Sequence, residues 1–354
     1  MKRLLLPALL LTASLCANSV KSSPKQPVKQ PVEDPTDGGL DLFRKNVQVY
    51  SGHAELLYWT ASEGALDYAL RMRENAWGPS NSYAQGDFKV ASFDLDPGFR
   101  LAVSYFRAPH YWEIKWQYTR MTLRGQSKTN KPSADQNYLT GTWPQIMSAP
   151  LAEAKSHIHL NYNVFDYSVD RVFLPNPHLR IRFIGGAIGA WMNQDWKIHY
   201  MDAALDSTTI RNRWDYGGAG LKLATLVDWY WTRELYMTAG GAFGALVGKY
   251  TNKSLQTTTV IPAAGDNSSV PLRNTYYADA RPAFTAQLSF GPSWQRNLPK
   301  NRIELFAGFE LNVWMNLQEV YRSTSGTASQ DKQTWINSSL LALYGLTTRL
   351  TVDF

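Results

Sequence analysis

The sequence predicts an all-β protein, a closed antiparallel transmembrane β-barrel with short periplasmic turns and long extracellular loops. Three observations predict it. Apolar and polar residues alternate with a period of two over segment after segment from about Val47 onward. The connections between those segments alternate in length, and the first residues read as an export signal. A period of two marks a strand with one face in each environment, and no helical period competes over these spans.

The chain begins with Lys2 and Arg3, an apolar run from Leu4 to Leu15, and the small-x-small triplet Ala17-Asn18-Ser19. That order is expected of a cleaved signal peptide over residues 1–19. Cys16 raises lipidation as an alternative, although Leu15 is bulky for the residue ahead of a lipidated cysteine. It is the sole cysteine among 354 residues, so cleavage after residue 19 leaves a chain without disulfides. Residues 20–46 contain Lys25-Gln26-Pro27-Val28-Lys29-Gln30-Pro31-Val32, a near-repeat expected to form an extended periplasmic linker.

Residues 47–354 are expected to form the barrel. Phe99, Leu101, Val103 and Tyr105 alternate with Arg100, Ala102 and Ser104, and Trp112, Ile114, Trp116 and Tyr118 with Glu113, Lys115, Gln117 and Thr119. Further on, Leu179, Ile181 and Phe183 oppose Arg180 and Arg182, and Ile303, Leu305, Phe309 and Leu311 oppose Arg302, Glu304, Glu310 and Asn312. At the end of the sequence Leu346, Thr348, Leu350, Val352 and Phe354 oppose Thr347, Arg349, Thr351 and Asp353. Leu346, Leu350, Val352 and Phe354 are the expected signal for the barrel-assembly machinery. The longest apolar run after the leader, about Phe183 to Met192, is too short to cross a bilayer as a helix.

Energetics orient the faces. Arg or Lys at the lipid midplane costs about 2–4 kcal/mol, so turning these strands inside out would impose that cost several times. The expected lumen-lining set is therefore Arg71, Arg73, Glu113, Lys115, Arg180, Arg182, Lys222, Arg281, Arg302, Glu304, Glu310 and Arg349. Basic residues outnumber acidic ones in it, which predicts a mild anion preference. Short turns fall at Arg107–Tyr111, Leu174–His178, Tyr230–Glu234 and Asn297–Asn301. Long polar loops are expected at 124–156, 192–212, 251–275 and 316–336. Splitting 84–106 at Asp96-Pro97-Gly98 gives about 12 strands, the number expected here, and reading 54–74 as one interrupted strand gives the alternative of 10. Trp229, Tyr230, Trp231, Trp294, Tyr111 and Phe354 are expected in a periplasmic aromatic girdle, with Trp191, Trp196, Tyr250, Trp314 and Trp335 in an outer one.

The net charge of +7 is dispersed, with no cluster that would indicate nucleic acid. His157 and His159 share a strand face as a metal pair would, but no third ligand lies near in sequence. The glycine groups at 217–220 and 240–241 precede no helix, so they are expected to relieve crowding in strands rather than hold phosphate. No Gly-x-Ser-x-Gly is present, and neither enzymatic activity nor a cofactor is expected.

Four stretches carry a family likeness: Gly52-His53-Ala54-Glu55-Leu56-Leu57-Tyr58-Trp59, Asp94-Leu95-Asp96-Pro97-Gly98-Phe99-Arg100, Leu160-Asn161-Tyr162-Asn163-Val164-Phe165-Asp166 and Gly185-Gly186-Ala187-Ile188-Gly189-Ala190-Trp191. Together they resemble the Legionella-type major outer membrane proteins, a pore-forming family also found in Chlamydia-related bacteria. The resemblance implies an outer-membrane porin passing small hydrophilic solutes or ions. The chlamydial proteins are cysteine-rich and cross-linked, so that architecture is not carried over to a chain with one cysteine. The expected partners are outer-membrane lipid, the assembly machinery, small solutes and, as an open option, further copies of the chain. A structural or adhesive surface barrel acting through its loops is the alternative function.

Overall fold

The computed structural model describes residues 48–72, 86–107, 112–133, 138–143, 150–259, 269–298, 301–323 and 334–354. All lie in one compact unit, Thr36–Phe354. The expected signal peptide, the linker, Arg73 and Tyr111 fall outside the described residues. The strands are β1 (Gln48–Glu63), β2 (Asp67–Met72), β3 (Gly86–Val90), β4 (Asp96–Arg107), β5 (Trp112–Asn130), β6 (Tyr138–Gly141), β7 (Leu151–Asn176), β8 (Leu179–Asp202), β9 (Ser207–Tyr230), β10 (Leu235–Thr259), β11 (Ser269–Asn297), β12 (Arg302–Ser323) and β13 (Thr334–Asp353).

Ten of them close a ring in the order β1-β13-β12-β11-β10-β9-β8-β7-β5-β4, all antiparallel, with β4 paired back onto β1. The ring therefore has the smaller of the two expected strand numbers, not twelve. Asp96-Pro97-Gly98 is not a turn but the start of β4, where Asp96 faces Trp59 and Pro97 faces Tyr58. Proline is tolerated there because the beginning of a strand has few ladder donors to lose. After Glu63 the chain leaves the ring, and β2 pairs with β3 and β6 in a separate three-stranded sheet. Arg71 belongs to that sheet and is exposed, so it does not line the barrel lumen.

Two of the expected short turns lie in the described residues where expected, with β7 and β8 joined by Pro177-His178 and β9 and β10 by 231–234, while those at Arg107–Tyr111 and Asn297–Asn301 fall partly outside the described residues. The expected loop at 192–212 is instead strand: β8 and β9 continue to a four-residue turn, Ala203–Asp206. Asp202 caps this turn, its Oδ1 accepting from the backbone N–H of Ala204 (2.8 Å) and Asp206 (2.9 Å). Strands likewise run into the other three predicted loops, β5 reaching Asn130 and β7 starting at Leu151, β10 reaching Thr259 and β11 starting at Ser269, and β12 reaching Ser323 and β13 starting at Thr334. A strand of 24 residues such as β8 rises ~60 Å along a barrel axis at a tilt of ~40°, far more than an apolar band of ~25 Å.

The excess length explains a reversal along each strand. In the half of β7 near the β7–β8 turn, Phe165, Tyr167 and Val169 face outward and Asp166, Ser168 and Asp170 face inward. Further up, Ile158, Leu160 and Tyr162 are the buried, inward residues, and His157, His159 and Asn161 point out. β8 repeats this, with Arg180 inside and Phe183 outside below, but Trp196, Ile198 and Tyr200 inside and Lys197 outside above. The side-chain phase is unbroken; only the chemistry changes. Below, the outer face meets lipid and the interior is polar. Above, the outer face meets water, so the apolar residues turn inward.

The upper interior is consequently a hydrophobic core. Leu57, Trp59, Leu123, Leu160, Leu341 and Leu343 are fully buried in it, together with Leu66, Tyr68, Leu139 and Trp143 of the small sheet and its flanks. Trp143 packs edge-on against Trp196 at 5.8 Å. Tyr68 shares a 2.8 Å hydrogen bond with Thr129 on β5, and Tyr200 on β8 donates to the carbonyl of Tyr68. Each fully buried leucine contributes about 1.5–3 kcal/mol.

Candidate functional site

The polar half of the interior holds a cavity of about 190 Å³. Of the twelve residues expected to line the lumen, nine reach this wall: Glu113, Lys115, Arg180, Arg182, Lys222, Arg302, Glu304, Glu310 and Arg349. Arg281 also faces inward, but higher up, where it lies 3.7 Å over the Tyr250 ring and pairs with Asp279 and Glu319 at 2.9 Å each.

The cavity is a lattice of ion pairs between strands that alternation brings to one interior. Arg100 on β4 donates to Glu55 on β1 (2.6 Å), to Glu310 on β12 (2.8 Å) and to the Thr119 hydroxyl on β5 (2.9 Å). Glu310 also accepts from Thr347 at 3.0 Å and from Gln287. Arg349 reaches Glu304 at 3.2 Å and Glu55 at 3.9 Å, while Arg302 holds Asp353 at 2.6 Å. Across other strands Arg182 meets Glu113 at 3.4 Å, Lys222 meets Asp166 at 3.1 Å and Arg180 meets Asp228 at 2.8 Å. His53 lies between the hydroxyls of Thr351 (2.9 Å) and Ser104 (3.2 Å).

Sequence reasoning missed most of the acidic half. The charged lining comprises seven cations (Arg100, Lys115, Arg180, Arg182, Lys222, Arg302, Arg349) and eight carboxylates (Glu55, Glu113, Asp166, Asp170, Asp228, Glu304, Glu310, Asp353). The predicted excess of positive charge is absent from this wall. Arg100, Asp166 and Asp353 were each recognisable as the inward member of an alternating pair. Glu55 and Asp228 stand in runs with little charge, where their importance emerges only from the pairing.

Directly above the cavity the lumen is crossed. Asn312 on β12 donates to the Tyr162 hydroxyl on β7 at 2.8 Å, although these strands stand on opposite sides of the ring. The Tyr162 and Trp314 rings meet edge-on at 6.1 Å on the same level. Gln194 on β8 reaches Glu63 on β1 at 3.0 Å, a second cross-lumen contact higher up.

Several aromatics expected in the girdles serve this interior instead. Tyr230 is buried, stacks on Tyr236 at 4.6 Å, and receives the Arg180 guanidinium at 5.5 Å. Trp196, Tyr250 and Trp314 are fully buried and face inward, whereas Trp229, Trp191 and Phe354 are exposed on the outside. The Trp335 side chain lies outside the described ones. Leu346, Leu350 and Phe354 are exposed on the outer face of β13, with Val352 between them. His157 and His159 point away from the lumen, and no group of three metal-binding side chains occurs among the described residues.

The model of the family described as Legionella pneumophila major outer membrane protein precursor matches residues 46–354. No curated protein matches the chain. Among solved structures, the Escherichia coli outer membrane protease OmpT is similar at 10% identity and a TM-score of 0.40, covering 86% of this chain and 96% of its own. The Ralstonia pickettii toluene transporter TbuX is similar at 10% identity and a TM-score of 0.33, covering 91% and 92%. A Pseudomonas aeruginosa FadL homologue follows at 8% identity, a TM-score of 0.26, and coverage of 91% and 93%. Likenesses of this size carry no information about what this chain transports or cleaves. An antiparallel ring with a lipid-compatible outer belt and a charged interior is the arrangement of an outer-membrane barrel. The family model covers that entire ring, and the chain belongs to the Legionella pneumophila major outer membrane protein family.

Proposed function

We propose that the protein is an outer-membrane porin, a passive path for small hydrophilic solutes or ions, and not an enzyme. The observation that carries this reading is the charged cavity at the level of the lipid-facing belt. Ionised groups are costly within a bilayer unless they face water or one another, so a cavity lined by fifteen of them is suited to hydrated solutes. With cations and carboxylates balanced, selectivity between small anions and cations is weak. The path is narrow, being crossed by Tyr162 and Asn312 and occupied above by the small sheet.

Planar-bilayer recording on refolded protein tests the proposal. The expected result is small single-channel steps with a reversal potential near zero in a salt gradient. A silent membrane over repeated insertions would instead favour the second reading, a structural or adhesive barrel, which the hydrophobic filling of the upper half supports. A hydrolytic role draws little support from His53, whose ring nitrogens both contact hydroxyls and not an orienting carboxylate. The assembly machinery, solutes and further copies of the chain are the partners this proposal requires or permits. Export through a cleaved leader over residues 1–19 is part of it.

A further inference from the structure

The outer surface just above the lipid belt carries a basic patch unrelated to the lumen. The strand register defines it. Arg124 on β5 faces His159 on β7, which faces Asp195 on β8, then Arg213 on β9 and Lys253 on β10. The next row upward runs Gln126, His157, Lys197, Arg211 and Leu255. Five cations therefore stand against one carboxylate in two adjacent rows. Arg211 is paired with Asp195, and Arg213 pairs with Asp215 one row below at 3.1 Å. The Arg124 and Lys197 side chains are exposed and make no ion pair among the described residues, while the Arg124 backbone N–H donates to Asp96 Oδ2 at 2.7 Å. Their surroundings form a shallow groove lined by Arg124, His157, His159, Lys197 and Arg211.

The position of the patch selects its ligand. The last lipid-compatible row beneath it is Tyr118, Phe165, Gly189, Ala219 and Val247. Arg124 and His159 lie six residues beyond Tyr118 and Phe165, a height of ~15 Å at the usual rise and tilt. Between that row and the patch stand Arg120, Asn163, Trp191, Gly217 and Lys249 and then Thr122, Asn161, Asn193, Asp215 and Thr251, so exposed cations and one exposed indole lead from the belt up to the patch and span the headgroup layer of the outer leaflet. We propose that this face binds a phosphorylated glycolipid of the outer leaflet, its phosphates held by Arg124, Lys197 and Lys253 and its acyl chains lying on the belt below. Guanidinium and ammonium groups spread over five strands, ~20 Å, fit a headgroup carrying more than one phosphate. A soluble polyanion would have no use for the apolar wall below.

The test is native mass spectrometry of the full chain in detergent, titrated with a bis-phosphorylated lipid A-type glycolipid and with the same lipid after removal of its phosphates. The wild type is expected to prefer the phosphorylated form. The triple variant Arg124→Gln/Lys197→Gln/Lys253→Gln should lose about tenfold or more in affinity for it, while binding the dephosphorylated lipid like the wild type. Arg296→Gln, an exposed cation at the opposite rim, should bind like the wild type. Equal binding by the triple variant, or no preference for phosphate in the wild type, overturns the proposal. Displacement of the lipid by an equal concentration of inorganic phosphate also overturns it, since the site would then hold a free anion. Room-temperature SDS resistance checks folding, and if the triple variant fails that check, Arg124→Gln and Lys197→Gln are titrated singly with the same criteria.

Discussion

Arg100 ties three walls of the cavity together, and its neighbours show what its removal would do. Glu55 and Glu310 are both buried and both accept from its guanidinium. Arg100→Met would leave two carboxylates facing each other without their main counter-charge, at a cost of about 3–5 kcal/mol. Urea unfolding in lipid vesicles followed by tryptophan fluorescence should show that loss; a midpoint close to the wild type would mean the carboxylates find water or another cation. Tyr162 has a different role, filling the lumen and accepting from Asn312. Tyr162→Ala should cost about 3 kcal/mol, as for removal of a buried aromatic, and raise single-channel conductance. Unchanged conductance in a folded variant would show that solutes do not pass this level.

At the level of strands, the fold depends on alternation being kept while its chemistry reverses. β9 illustrates both needs. Leu221 and Leu223 are exposed to lipid below, while Trp214 and Ile210 are buried in the upper core. Between these regions Gly218 faces Gly248 across β9 and β10, and a Cβ on Gly248 would lie 2.5 Å from the Gly218 Cα. The close backbone approach there accounts for the glycine cluster that the sequence showed. The tight β8–β9 turn carries a cost: Leu205 is exposed and sits at φ 71°. Leu205→Gly should therefore stabilise the turn by about 1 kcal/mol, because glycine adopts this conformation freely. The same urea titration checks it, and a destabilised variant would show that the leucine side chain makes a contact outweighing the strain.

For the whole molecule the decisive arrangement is a charged cavity beneath a hydrophobic core that includes the small sheet. Replacing residues 65–92 with a short Gly/Ser linker joins β1 to β4 without β2 and β3. The ring pairing of Trp59 with Asp96 leaves its closure independent of that segment. The shortened barrel should fold and conduct more than the wild type in planar bilayers. Conductance equal to the wild type would place the solute path elsewhere than past the small sheet.

The sequence by itself determined the barrel class, the short turns between β7 and β8 and between β9 and β10, and the faces of the membrane-level strands. Arg180 against Phe183, or Arg349 against Leu350, has one solution when lipid is on one side, because an ion in hydrocarbon costs more than any packing gain recovers. It also carried nine residues of the cavity wall, as the inward partners of apolar neighbours, but not Arg100 or five of the eight carboxylates. Only the tertiary structure decided the ring of ten strands, the departure of β2 into its own sheet, and the pairing that balances the lumen charge. Those outcomes depend on neighbours far apart in sequence, such as Arg100 and Glu310 or Tyr162 and Asn312. Alternation states which side of a strand a residue takes, but not how high it stands above the bilayer. That height settles whether its outward neighbour meets lipid or water, and so whether the barrel is polar or apolar within.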